Sequence, residues 1–100
     1  MRTILLPGAI ADLESIGDYI ARDNPRRAAS YVAELRRQCV KIAGNPAGYR
    51  LRPEVADGIR SCAYGNYVIF FTVDTDALLI VRILHGGMDI DTQFSTTSEH

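Results

Sequence analysis

Lysine is almost missing from this chain. Lys41 stands beside ten arginines, and twelve carboxylates bring the net charge to −1. A protein that grips nucleic-acid phosphates through a broad positive field carries a clear cationic surplus, so any contact with DNA or RNA has to come from a local patch. Arginine suits such a patch, because its planar fork makes bidentate and stacked contacts that an ammonium does not. A GC-rich coding sequence would produce the same bias. Cysteine is equally scarce: Cys39 and Cys62 show neither metal-ligand nor CxxC spacing, and they read as small buried hydrophobes in a reducing compartment.

Other absences remove whole classes of function. No apolar run approaches the ~20 residues of a membrane-spanning helix. The opening MRTILLPGAIAD loosely imitates a signal peptide, with a basic residue, a short apolar run and an AIA triplet, but Pro7 and Gly8 interrupt the run. The expected location is therefore cytoplasmic. The chain holds no phosphate-binding glycine loop, no HExxH or paired Cys/His pattern and no GxSxG nucleophile, and it does not interleave aromatic with basic residues as single-strand binders do. Neither a metal nor a cofactor is expected. Asp12, Glu14 and Asp18 could imitate a ligand cluster, yet on an amphipathic helix such acids usually form a solvated face.

What is present describes one domain. One hundred residues with 47% apolar and 23% charged composition are enough for a single core. Residues 3–6 read as a short strand stopped by Pro7 and Gly8. Ile10, Leu13, Ile16 and Ile20 then recur at helical spacing. In DNPRRA, Asn24 is a good N-cap and Pro25 suits the first helical position, so a second helix follows at once. Its apolar face carries Ala28, Tyr31, Val32, Leu35, Cys39 and Ile42, and Gly44, Asn45 and Pro46 end it. Two helices joined so tightly fold back as an antiparallel hairpin.

A Gly/Pro-rich connection over residues 44–58 holds Arg50 and Arg52; loops of this length are often functional. Three apolar segments follow, 59–63, 67–73 and 78–84, separated by the turn compositions YGN and DTDA. The middle one, YVIFFTV, is apolar on both alternating faces and reads as a central strand. The expected fold is α+β, with a short N-terminal strand and a helix hairpin packed on one face of a small antiparallel sheet. Two helices cover only one face of such a sheet. An exposed apolar area should remain, and such areas mark interaction surfaces. Residues 91–100 read as a polar, loose tail.

The segment VRILHGGMDI carries the candidate chemistry. A ribonuclease working by 2′-OH attack needs a proton acceptor, an acid for the leaving oxygen and cations for the phosphate. Arg60, Arg82, His85 and Tyr67 could supply these if the meander brings them to one rim. An arginine paired with a nearby carboxylate or carbonyl, and a structural histidine, are the alternatives.

In order, DLESIGDYI, NPRRAASYVAELRRQC, GIRSCAYGNYVIFFTV and VRILHGGMD resemble the ParE branch of the RelE/ParE toxin superfamily. The likeness runs from Pro7 to Ile90 and implies a toxin domain over residues 1–90. Its ending GGMD has Gly87 where the family commonly carries a basic residue. The resemblance implies a type II toxin-antitoxin toxin that poisons DNA gyrase without hydrolysis of its own, touching DNA only through the gyrase or operator complex. It also implies a ParD-like antitoxin as partner. On this reading Arg60, Arg82, His85, Met88 and Asp89 face the target, while Leu13, Ile16, Ile20, Leu35 and Phe70 meet the antitoxin. Two alternatives stay open: a RelE-like ribosome-dependent mRNA interferase using Arg60, Arg82 and His85, and a degenerate, non-toxic binding module. The slightly acidic charge and the lack of a tyrosine after Tyr67 favour the ParE branch over the RelE one.

Overall fold

The computed structural model describes residues 1–87. Strand β1 (Arg2–Leu5) leads into helices α1 (Pro7–Ala21) and α2 (Pro25–Ala43); a 3-10 turn (Pro46–Gly48) and strands β2 (Arg50–Leu51), β3 (Arg60–Tyr64), β4 (Tyr67–Asp74) and β5 (Ala77–His85) follow.

Both helices begin at a proline, where the missing N–H has no intrahelical partner to lose. The Asn24 side chain caps α2 by accepting the Arg27 N–H at 3.0 Å. In the turn, the N–H groups of Asp23 and Asn24 both donate to the Ile20 carbonyl, which closes the expected hairpin. The inward stripe of α1 is Ala9, Leu13 and Ile16. Ile10 does not belong to it: one residue further on lies 100° around the helix, and its side chain is 44% exposed. The α2 stripe, Ala28, Leu35, Cys39 and Ile42, is buried as expected.

Among the described residues the sheet has five strands in the order β1-β5-β4-β3-β2, with β4 in the middle. Strands β2 to β5 are antiparallel, but β1 runs parallel to β5, so the sheet is mixed rather than purely antiparallel. The helix hairpin and the meander lie between these two strands in sequence, and that long connection is what a parallel neighbour needs. The helices pack on one face as expected. Their core joins Leu13, Ile16, Leu35, Cys39 and Ile42 to Cys62, Ile69, Phe71, Leu78, Ile80 and Ile83.

A bulge interrupts the β4/β5 ladder. Phe70 pairs with Arg82 and Phe71 with Ile80, leaving Val81 as the extra residue on β5. The inward spacing on β5 therefore changes from two (Leu78, Ile80) to three (Ile83). On the face away from the helices, Phe70 packs with Ile59, Leu84, Val55, Val68 and Val81. Sequence reasoning expected this face to stay open over a large apolar area. Instead the connection from Arg52 folds beneath it, placing the Arg52 guanidinium carbon 5.7 Å from the Phe70 ring, and Phe70 is fully buried. Cys39 and Cys62 are free and buried, as expected. Burial, then the neighbouring Cys62, pushes the Cys39 thiol up to about 11. Among the described residues no helix is long and apolar enough to cross a membrane.

Candidate functional site at the end of strand β5

Strand β1 stops at Leu5, opposite Ile80. Beyond that point β5 keeps β4 on one side and, among the described residues, has no strand on the other. An unpaired strand edge is costly to bury and prone to pairing with other chains. Helix α1 resolves this with Asp12. One carboxylate oxygen accepts the Ile83 N–H at 2.8 Å and Arg82 Nε at 2.8 Å, and the other accepts Arg82 Nη2 at 2.9 Å. The carboxylate thus stands in for the missing strand and clamps the arginine through a two-pronged bond. Its hydrogen bond is the main reason the Arg82 guanidinium is held above its ordinary pKa, against an opposing effect of burial. Gly8 makes room, because a Cβ there would sit 2.9 Å from Arg82 Cδ. Asp12 is therefore a largely buried acceptor and not part of a solvated acidic face.

Arg60 is engaged on the other side of the sheet, where its Nη1 donates to the Tyr49 carbonyl at 2.6 Å. Arg60 and Arg82 lie two strands apart across β4, tied to different elements, and do not converge on one point. Both take the structural pairing that sequence reasoning set beside the functional one. His85 ends β5 opposite Tyr67, and its ring meets the Tyr67 ring edge-on with centroids 5.4 Å apart. Its Nδ1 accepts the Gly87 N–H at 3.1 Å.

Arg82, His85 and Tyr67 share a cavity of about 290 Å³ with Asp12 and Tyr19. A larger one of about 670 Å³ lies against it, between the hairpin turn and the β3–β4 turn, walled by Tyr19, Tyr31, Tyr67, His85, Arg27 and Asn66. Tyr31 is the pivot of this second cavity. It packs 5.9 Å from Tyr64 and 6.0 Å from Tyr67, donates its hydroxyl proton to the Tyr64 carbonyl, and carries the Arg27 guanidinium 5.0 Å over its ring. Gly65 has φ +58° and faces the Tyr31 hydroxyl so closely that a Cβ would collide with it. Glu34 accepts from Arg27 at 2.6 Å and from the Tyr64 hydroxyl at 2.9 Å. These bonds, Arg27 first, hold the Glu34 carboxyl below its ordinary range, and the bond to Glu34 raises Tyr64.

Sequence reasoning found Tyr67 and His85 but missed Tyr19, Tyr31, Tyr64, Arg27 and Asn66. They come from α1, α2 and the β3–β4 turn, so no single segment shows them together. Of the residues expected to meet a partner, Leu13, Ile16, Leu35 and Phe70 are buried in the chain's own cores and Ile20 is half-buried, while Leu13 also lines the outer groove between α1 and α2. Met88 and Asp89 lie outside the described residues, as does the tail over 91–100.

Residues 4–90 match the family described as ParE toxin of type II toxin-antitoxin system, parDE. The chain belongs to the ParE toxin family. It is 34% identical over 82 residues to Toxin ParE1 of Caulobacter vibrioides, covering 81% of this chain and 84% of that protein. A solved structure of the chromosomal ParDE TA system from P. aeruginosa superposes with a TM-score of 0.74 at 23% identity, covering 85% of this chain and 95% of that one. At that identity the likeness is one of fold, and it carries the same hairpin-on-sheet architecture. Near the β5 end Arg82 is paired with Asp12, and on β3 Arg60 is held by the Tyr49 carbonyl.

Proposed function

We propose that this ParE-family toxin acts by binding DNA gyrase, trapping its cleaved-DNA complex and blocking replication in the cytoplasm, and that a ParD-like antitoxin neutralises it. The observation that carries the non-hydrolytic reading is the engagement of Arg82 by Asp12 and of Arg60 by the Tyr49 carbonyl. Phosphoryl chemistry needs cations free to follow charge as it develops on the phosphate. Here the guanidinium groups hold the fold. The target-facing surface is the exposed end of β5 at His85, continued in sequence by Met88 and Asp89, with Arg60 and Arg82 acting behind it to fix the strands.

The antitoxin's place is the outer groove between α1 and α2, a cavity of about 710 Å³. Ile10, Ala28, Ala29 and Val32 line it, with Glu14 and Asp18 from α1 and Arg36 from α2 at its edges. An amphipathic antitoxin helix would lay its apolar side into such a groove. The exposed Ile10, which the chain's own core does not use, supports this placement.

Induction of the chain without antitoxin tests the target, with DNA breaks and mRNA integrity followed in one culture. Breaks with intact mRNA are expected. Cut mRNA without breaks would replace the gyrase reading with a RelE-like interferase, and unimpaired growth would point to a degenerate binding module.

A further inference from the structure

We propose that the cavity walled by Tyr19, Tyr31, Tyr67, His85, Arg27 and Asn66 binds a nucleotide, its base against the tyrosine rings and its phosphate toward the hairpin turn. The size is right: about 670 Å³ lies within the usual range of small-molecule sites. The walls are aromatic, and every nucleobase has a π-face that stacks on such rings.

Three further observations separate this cavity from ordinary packing. Tyr19 is 66% exposed and packs on no other ring among the described residues, so its face is available. Among the described residues the hydroxyls of Tyr19 and Tyr67 and the side-chain amide of Asn66 form no hydrogen bond, although all three line the space. An amide at the edge of a base platform can donate to and accept from one base, as asparagine does with adenine. His85 adds a donor, since its Nδ1 accepts from Gly87 and the proton of a neutral ring then sits on Nε2.

Charge decides between a nucleotide and a peptide aromatic residue. The turn that joins Ile20 to Arg27 carries Arg22 and Arg26, both exposed, against the single acid Asp23. The N-terminus of α2 opens at the same turn, adding its partial positive charge. Arg27, the one cation among the cavity's described lining residues, and Glu34 are bound to each other, so the charge for a phosphate comes from Arg22 and Arg26 on the adjoining turn, outside the lining. An aromatic ring joined to a phosphate matches this combination better than an aromatic side chain does. The overall charge of −1 is no obstacle, because the cationic groups are local.

The ligand could be a free nucleotide or one unit of a single strand, and titration of the full chain separates the two. The probes are deoxyadenosine and thymidine monophosphates, a short oligodeoxyadenylate, an abasic strand of the same length, inorganic phosphate and a short peptide carrying an aromatic and an acidic residue. Saturable binding of the mononucleotide, absent with phosphate and the abasic strand, is expected; binding of the oligonucleotide alone would assign the source to a single strand. Tyr19→Ala, at an exposed position, should weaken binding about tenfold, the effect of losing one stacking partner. Asn66→Ala should shift the preference among bases. Binding that is equal for the abasic strand, or unchanged in both variants with their folds verified by circular dichroism, would overturn the proposal. So would binding only of a peptide carrying an aromatic and an acidic residue. Because the titration contains no gyrase, its failure leaves the gyrase reading standing, and the reverse also holds.

Discussion

At the scale of single residues, Asp12 decides more than its position suggests. Its charge and helical spacing mark it as surface, whereas the structure gives it three donors and little solvent. Nothing in the sequence predicts this, because the cause is the early end of β1, which leaves the Ile83 N–H without a strand partner. Asp12→Ala removes the acceptor and leaves both a guanidinium and a strand N–H unpaired, so it should cost about 2–3 kcal/mol in urea unfolding. Asp12→Asn keeps an acceptor for Ile83 and should cost less. Glu34 illustrates another case, a half-buried acid with a role in stability. Its folded pKa lies below the ordinary 4.5, mainly through Arg27 and then Tyr64. A depressed carboxyl contributes stability that is complete above its unfolded pKa and disappears as the pH falls through the folded one. Acid titration of unfolding midpoints should therefore show a shallower loss below about pH 4.5 in Glu34→Gln than in the parent chain.

The elements were legible where one face repeats. The α2 stripe and the three meander strands followed from spacing and turn composition, because burial on one side of a helix or sheet imposes that period. The errors are equally physical. Ile10 is apolar and near the α1 stripe, but position along the helix, not hydrophobicity, decides which face is inward. The Val81 bulge shifts alternation by one residue, a local irregularity that composition does not mark. Parallel pairing of β1 with β5 depends on residues far apart in sequence, Arg2 with Ala77 through Leu5 with Ile80. The cover over Phe70 comes from a loop with no periodicity at all. That cover makes a clear expectation: Phe70→Ala should destabilise by about 3–5 kcal/mol, the usual cost of emptying a fully buried phenylalanine site. A loss below 1 kcal/mol in denaturant unfolding would mean that the loop from Arg52 does not close this face in solution.

For the molecule as a whole, family and fold could be read from ordered segments, but the surfaces could not. Three of the five tyrosines line one cavity, with Tyr64 packed behind Tyr31, only because the hairpin turn, the β3–β4 turn and the end of β5 arrive at the same corner. Likewise, most of the apolar residues first expected to receive an antitoxin are ones the chain buries for itself, with Leu13 lining the outer groove as well. A core residue and a docking residue differ in which equilibrium they support, and that difference is measurable. Ile10 lines the outer groove and is 44% exposed, so Ile10→Asp should leave the unfolding free energy within about 0.5 kcal/mol of the parent. The same change places a charge on an apolar contact beside Glu14 and Asp18, and it should weaken binding of a ParD-like antitoxin at least tenfold. Leu35→Ala should behave in the reverse way, losing about 2–5 kcal/mol of stability while the folded fraction binds nearly as before. Calorimetric titration paired with urea unfolding on both variants reads the two equilibria separately. Unaltered antitoxin affinity in Ile10→Asp would move the docking site away from the helix groove, and the exposed end of β5 at His85 would be the next surface to test.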